Sequence, residues 1–305
     1  MEYNMEAFTA GLVAHRLIVP SGVPGVFGRG AAFERVIEGL TACINRIARH
    51  DGAEVVNHPP VMSRALLQKV RYLDSFPHLC GSVHTFMGNG LQALRLAEKA
   101  SAGEPWDEFL TQADVVLSPS ACYGVYPMFE GTTVPDEGRH MTVLNWVFRH
   151  EPSSEPTRTL SFRMREFVRI GAPDMLLAWR EVWLERAKQM LAGLGLPAEQ
   201  ELATDPFFGR GGKVMANAQY EQKLKFELTV PVNSLASPTA VCSFNYHQDK
   251  FGETFDIRLP DGSVAHSACV AFGMERLTMA MFKHHGFDVS AWPQGVRDLL
   301  WAEGC

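Results

Sequence analysis

No run of this sequence approaches the ~18 consecutive apolar residues that a bilayer-spanning helix requires. Its first residues, Met1-Glu2-Tyr3-Asn4-Met5-Glu6, carry neither the basic region nor the apolar stretch of a secretory signal, so a cytoplasmic location is expected. Cysteine is scarce, six in 305 residues, and no two stand in CxxC spacing. A disulfide scaffold is thereby excluded, and reduced thiols, free to ligate a metal, are expected. Positive charge is in deficit: 28 Lys+Arg against 34 Asp+Glu leave a net −6. That balance argues against a surface that grips nucleic acid as a whole, while leaving room for a local basic patch. Internal repeats, low-complexity tracts and Pro/Gly/Ser linkers are also missing. One domain over residues 1–305 is therefore expected.

Apolar residues make up 46% and charged residues 20%, the balance of a chain with a buried core. Residues 31–50 place Phe33, Val36, Ile37, Leu40, Ile44 and Ile47 at three-and-four spacing, which predicts an amphipathic helix. Ala53 to Val56 read as a short strand stopped by Pro59 and Pro60. Helices are expected over 61–73 and over 90–112 with a break near Gly103-Glu104-Pro105. From 114 onwards, short β-prone segments dominate: 115–117, 141–149, 159–170, 226–232, 241–246 and 264–271. A long helix interrupts them, with Asp174 as its N-cap and Gly193 or Gly195 at its end. A last helix runs from about Gly273 to His285. Strands that do not alternate one-for-one with helices predict an α+β arrangement, an antiparallel sheet flanked by helices.

Two segments carry chemistry. The first is Phe148-Arg149-His150-Glu151, a polar loop with Arg158 and Thr159, then Ser161-Phe162-Arg163-Met164-Arg165-Glu166-Phe167. It reads as strand, turn and returning strand. Arginine there can clamp phosphate with its planar fork, Glu151 can accept from an exocyclic amine, and Phe167 can offer a flat face to a base. From spacing alone, an exposed hairpin with a charged face is the favoured alternative. The second segment is Ala268-Cys269-Val270-Ala271-Phe272-Gly273-Met274-Glu275-Arg276, a strand running into a helix start. Helix N-termini favour anions, and Arg276 would strengthen that; a plain strand–helix junction is the bland equivalent.

Taken together, Phe-Arg-x-Glu, loop, Arg-x-x-x-Phe, and later Gly-x-Glu-Arg resemble motifs 2 (about 148–167) and 3 (about 269–283) of class II aminoacyl-tRNA synthetases. The Pro59-Pro60 region resembles motif 1, the dimer-forming element, and motif order covers about residues 30–290. Lys225-Phe226-Glu227-Leu228 and Cys242-Ser243-Phe244-Asn245 resemble strands of the seryl branch. Only about thirty residues precede the first motif helix, so an N-terminal tRNA-binding domain is expected to be absent. A seryl-type core without that arm resembles the amino acid:[carrier protein] ligases, which are similar to the cores of zinc-dependent seryl-tRNA synthetases of methanogens.

The resemblance implies ATP-dependent activation of a small amino acid, glycine foremost and alanine next, and its transfer to the phosphopantetheine thiol of a carrier protein. It implies a homodimer, no tRNA and no membrane partner. It implies one Zn²⁺ per subunit on Cys122, Glu166 and Cys269, which match the three ligand positions of the zinc-dependent branch, with the amino acid bound through that ion. Two thiolates and one carboxylate would leave one tetrahedral position open. Mg²⁺ would accompany ATP; a metal-binding glutamate of seryl enzymes is replaced within Pro238-Thr239-Ala240-Val241, so no magnesium ligand is named. By the same resemblance, Arg149 and Arg276 are the catalytic cations, and Glu151, Arg158, Thr159, Arg163, Phe167, Lys225, Ala240, Cys242 and Ser243 complete the ATP site, with Phe167 and Arg276 sandwiching adenine and Arg163 or Arg158 steering the β- and γ-phosphates. A tRNA-charging enzyme and a non-catalytic paralogue are the competing expectations. Cys43, Cys80 and Cys305 are expected to be structural, as are Trp179 and Trp183. His284 and His285 are expected to meet the last carbonyls of their own helix, and Arg180, Arg186 and Lys188 to form a solvated face or a carrier-binding patch.

Overall fold

Side chains between residues 139 and 171 alternate in character, and the computed structural model, which describes residues 4–301, forms them into two long strands of a seven-stranded sheet. Its strands are β1 (Glu54–Val56), β2 (Arg139–Phe148), β3 (Ser161–Gly171), β4 (Glu199–Leu202), β5 (Lys225–Val230), β6 (Thr239–Gln248) and β7 (His266–Gly273). They lie in the order β1-β2-β3-β7-β6-β5-β4. Every neighbouring pair is antiparallel except β1 with β2, so the expected antiparallel sheet is mixed at one edge.

Five helices bear on the site: α1 (Ala31–Ala48), α2 (Pro173–Gly193), α3 (Gly212–Glu221), α4 (Lys250–Phe255) and α5 (Met274–His285). In α2 the first position is Pro173, whose missing N–H is no loss there. The N-cap is Ala172; Asp174 lies inside the first turn, where a carboxylate complements the helix dipole. Gly286, at φ +85°, closes α5 in a conformation that favours glycine. No helix among the described residues is long and apolar enough to cross a membrane.

α1, α2 and α5 bury one face of the sheet. Phe33, Phe167, Trp183, Phe272 and Leu277 meet there, and the rings of Phe167 and Trp183 lie 4.4 Å apart. Trp179 is buried in the same core, as expected. The other face packs on Tyr126, Phe251 and Phe255, with Tyr126 stacked on Phe251 at 3.9 Å, and leaves a cavity beside them.

Several expectations need correction. Residues 61–63 form a strand before a short helix, Arg64–Lys69, which Ser63 caps by accepting from the Leu66 N–H. The helix from Gly90 stops at Ala102, because Gly103 turns left-handed; residues 110–117 are a strand pairing with Val61–Ser63 and Ser82–Phe86. His284 and His285 donate not to their own helix but to the carbonyls of Pro231 (2.9 Å) and Leu194 (2.8 Å), tying α5 to its neighbours. Arg180 is buried, donates to the Lys223 carbonyl and lies over the Phe226 ring, while Arg186 pairs with Asp51, so with Lys188 they make no patch. Cys43 is buried in α1; Cys305 lies outside the described residues.

Arg163 also departs from its expected role. Its side chain points to the helix-covered face, where Nε donates to Glu275 (2.9 Å) and both Nη atoms donate to Glu34 (2.6 and 2.8 Å). Its backbone N–H donates to the same Glu275 carboxylate at 2.6 Å, and Arg29 adds a second cation at 3.3 Å. Trp146 stacks against both guanidiniums. With every strong donor engaged, Arg163 binds α1 and α5 to the sheet and does not reach a phosphate. Removing one partner from a buried ion pair strands the other charge. Arg163→Met should therefore lower stability by about 3 kcal/mol, read from the urea midpoint; an unchanged midpoint would refute the assignment.

Candidate active site and metal centre

Because side chains on a strand alternate, Phe162, Met164 and Glu166 of β3 face the cavity while Arg163, Arg165 and Phe167 face the helices. Cys269 comes from the adjacent β7, and Cys122 from a helical turn, Cys122–Gly124. The ligand atoms of Cys122, Glu166 and Cys269 all lie within 4.8 Å of one another, and all three residues are buried. Glu166 Oε1 accepts from the Ser120 hydroxyl and the Ala121 N–H, both at 3.0 Å. Its Oε2 is buried with no partner.

Burial, then the nearby Cys269 sulfur, pushes the Glu166 carboxyl up to about 7 against the lowering effect of Cys122, Ala121 and Ser120. The two sulfurs divide a proton between them. A hydrogen bond to Cys269, then burial and Glu166, drive the Cys122 thiol well up; the same bond holds Cys269 well down against the opposing effect of burial. An orphaned carboxylate oxygen beside two sulfurs is a costly arrangement for a buried site on its own. As a donor set it fits a zinc ion with three protein ligands and one position left over.

The cavity, about 470 Å³, is lined as well by Arg149, Arg276, Lys225 and Phe162. Arg149 follows β2; its Nε donates to the Pro119 carbonyl (3.1 Å), and its guanidinium lies 5.7 Å from the Phe162 ring centre. Arg276 sits in the first turn of α5 and donates to the carbonyls of Thr157 (3.1 Å) and Ala240 (3.2 Å). Burial, then the neighbouring Arg149, pulls the Arg276 guanidinium below its ordinary value. Two cations converging on one half-dry cavity make it a place for an anion. At the other wall, Lys225 Nζ donates to Asp205 (2.7 Å) and Glu227 (3.1 Å). Burial alone would raise the Asp205 carboxyl, but Lys225 and Gln219 hold it down at about 2. That pair fastens the segment before α3 to the sheet.

A family model, the tRNA synthetase class II core domain (G, H, P, S and T), matches residues 108–285, a span that contains every site residue named above. The chain is 48% identical over 289 residues to a Bradyrhizobium diazoefficiens protein named Amino acid--[acyl-carrier-protein] ligase 2, covering 94% of this chain and 86% of that one. The chain belongs to the class II synthetase core family. Within that family it is a homologue of the amino acid--[acyl-carrier-protein] ligases. It is similar more distantly, at 24% identity, to the Type-2 serine--tRNA ligase of Methanococcus aeolicus, and spans 53% of that relative's length. The M. kandleri SerRS structure, in complex with A. aeolicus tRNASec, matches the fold with a TM-score of 0.82 at 19% identity, over 96% of this chain and 60% of that one.

The segments read in the sequence as motif 2 (about 148–167) and motif 3 (about 269–283) fall on the end of β2, its loop and β3, and on β7 with α5. Phe167 needs correction: it is 1% exposed and packed against Trp183 and Phe272 on the face away from the cavity, so it cannot stack on a base there. The aromatic that faces the cavity is Phe162. The sequence carries a signal for it, since Arg158-x-x-x-Phe162 repeats the spacing of Arg163-x-x-x-Phe167, and only an even-numbered residue shares a face with Glu166. Ala240 offers its carbonyl to Arg276, and Ser243 lines the cavity. Cys242 borders the cavity, yet its thiol belongs to the helix-side core, and burial raises it strongly. Glu151, Arg158 and Thr159 are not among the lining residues: Arg158 lies between Glu151 (3.6 Å) and Glu155 (3.2 Å), and Thr159 is buried. Asp205 and Lys250 line the cavity without any motif to announce them.

The two phenylalanines should separate cleanly. Phe167→Ala should lower stability by about 3–5 kcal/mol while leaving ATP affinity of the folded fraction unchanged. Phe162→Ala should weaken ATP binding several-fold with a smaller loss of stability; the reverse pattern, in denaturation and nucleotide titration, would restore Phe167 to the site. Asp205 gives a pH signature. Its carboxyl sits near 2 in the folded chain against an ordinary 3.8, so the pair stabilises above pH ~4 and fades as pH falls towards 2. Urea midpoints of wild type and Asp205→Asn should differ at pH 7 and converge between pH ~4 and 2; a gap that ignores pH would mean that the pair adds nothing.

Proposed function

We propose that the chain activates a small amino acid with ATP and passes the aminoacyl group to the phosphopantetheine thiol of an acyl-carrier-type protein. Glycine is the proposed substrate, alanine the next. The observation that carries the proposal is the sharing of one cavity by a Cys–Glu–Cys ligand set, with its orphaned carboxylate oxygen, and a pair of converging guanidiniums. A nucleotide phosphate answers the guanidiniums, and an amino acid answers the space beside the ligand set. The relative named for amino acid and acyl-carrier protein supports the same pairing of substrates.

Cys122, Glu166 and Cys269 would hold Zn²⁺, and the ion when bound supplies a Lewis-acid position for a neutral α-amino group. The residues do the rest. Arg149 holds the α-phosphate and stabilises the charge that builds as the amino-acid carboxylate attacks phosphorus and pyrophosphate leaves. Arg276 and Phe162 bracket the adenine and Arg276 also steers the departing phosphates, while Glu151 and Arg158, which lie outside the cavity lining, would reach the exocyclic amine and the phosphates only if the loop between β2 and β3 turns inward. The backbone at Ala240 to Ser243 and the Lys225 cluster close the nucleotide wall. Mg²⁺ brought in with ATP would neutralise charge on the pyrophosphate. In the second step the pantetheine sulfur attacks the acyl carbon and AMP leaves, so no cysteine of this chain need be a nucleophile. Positioning and electrostatics suffice for both steps.

The proposal includes a homodimer in the cytoplasm, with no tRNA or membrane partner. Exposed Val55 on β1 and exposed Leu91 and Leu94 on the helix Gly90–Ala102 offer apolar surface for a second copy. The likeness to Type-2 serine--tRNA ligases favours one alternative, tRNA charging, and robust serylation of total tRNA would replace the carrier reading. Amino-acid-dependent pyrophosphate exchange is the deciding measurement. It should respond to glycine, fall when Zn²⁺ is chelated, and drop by about 100-fold or more in Arg149→Ala. No exchange with any small amino acid would leave a non-catalytic paralogue.

A further inference from the structure

β6 is interrupted near its end. Its register against β7 shifts between Tyr246 and Gln248, so His247 is the extra residue of a bulge, and Gln248 takes a left-handed backbone at φ +56°. A non-glycine residue adopts that conformation only where the surroundings demand it, and bulges beside active sites re-aim side chains. Here the re-aimed group is an imidazole. His247 Nε2 lies 3.5 Å from Cys269 Sγ. Its Nδ1 lies 3.1 Å from the Ser267 hydroxyl and 3.3 Å from the hydroxyl of Tyr126, a fully buried ring stacked on Phe251. Asn245 Nδ2 reaches the same sulfur at 3.4 Å, and Ser243 at 3.3 Å.

We infer that His247, delivered by the bulge, and Asn245 form an outer shell that orients the Cys269 thiolate, as positioning residues rather than ligands. This rests on the metal reading proposed above. His247 does not belong to the group of ligand atoms lying within 4.8 Å of one another. A metal-bound thiolate only accepts hydrogen bonds, so the imidazole hydrogen sits on Nε2, and Nδ1 accepts from a hydroxyl. With two donors on its sulfur, Cys269 would be held in one rotamer and in its thiolate form, the form that a metal binds. Partners of this kind are worth 10- to 100-fold in metal affinity in well-studied sites.

The test titrates wild type, His247→Ala and His247→Gln with Zn²⁺ against a chromophoric chelator, and records the spectrum of each protein loaded with Co²⁺. His247→Ala should bind Zn²⁺ about 10-fold more weakly or worse. Its sulfur-to-cobalt charge-transfer band should move to longer wavelength, because the sulfur lone pair loses a stabilising hydrogen bond. His247→Gln retains an N–H donor and should recover part of both effects. Wild-type affinity and band position in His247→Ala would overturn the inference and leave the metal reading intact. Failure of the wild type to bind either ion would overturn both. If His247→Ala does not fold, Ser267→Ala removes a hydroxyl that holds the ring, and an unmoved band there counts equally against the inference.

Discussion

The two-residue period of a single strand governs this site. β3 must satisfy a helix-packed core on one face and a ligand cavity on the other, and a strand has no third direction for its side chains. Placing Glu166 with two cysteines therefore sends Phe167 into the core and brings Phe162 and Met164 to the cavity. The same rule sends Arg163 and Arg165 to the helix-covered face, where Arg163 meets Glu34 and Glu275, and Arg165 donates to Asn45. Pairing with β7 then fixes where Cys269 arrives, because Val168 lies opposite it in register. One register thus settles the Cys–Glu–Cys cluster, the cavity-facing ring and the core together.

The cavity is electrostatically unfinished in two ways that differ in sign. On one side a carboxylate oxygen lacks any partner and two sulfurs compete for a proton, a concentration of lone pairs that a divalent cation would relieve. On the other side two guanidiniums line the same cavity, held by backbone carbonyls without a carboxylate partner in hydrogen-bond reach among the described residues, a concentration of donors that a phosphate would relieve. Residues optimised only for stability would pair these groups with one another. Keeping them apart leaves one end of the cavity suited to a cation and the other to an anion. The Lys225–Asp205–Glu227 cluster, by contrast, is internally satisfied, which suits a wall rather than a reactive group.

Much of this was legible in the sequence where local rules decide. The apolar stripe of α1, the proline that starts α2, and the Gly-x-Glu-Arg start of α5 each determine their own structure within a few residues. The convergence of Cys122, Glu166 and Cys269 was legible because three motif positions agreed, although the residues lie far apart in the chain. Phe167 departs from expectation because Arg-x-x-x-Phe occurs twice in succession, and strand parity puts Phe162, not Phe167, on the face of Glu166. Residues 110–112 were misread as helix because the Gly103-Pro105 break permits either continuation; pairing with two distant strands decides it. Asp205 and His247 had no local signature, since one acts through a lysine twenty residues away and the other through a bulge.

The charged cluster on the helix side ties these observations together. Glu275 accepts from the Arg163 backbone N–H as well as from its guanidinium. Each of those two residues has a neighbour in the chain that faces the cavity: Phe162 beside Arg163, and Arg276 beside Glu275. A carboxylate bound to a backbone N–H permits little sliding between the two elements, because the N–H cannot move without β3. The spacing between the ring and the cation that would bracket a nucleotide base is therefore set from behind the sheet, by an ion cluster that never touches the ligand. Glu34 extends the same cluster to α1, so that helix, β3 and α5 are tied together at one point behind the cavity.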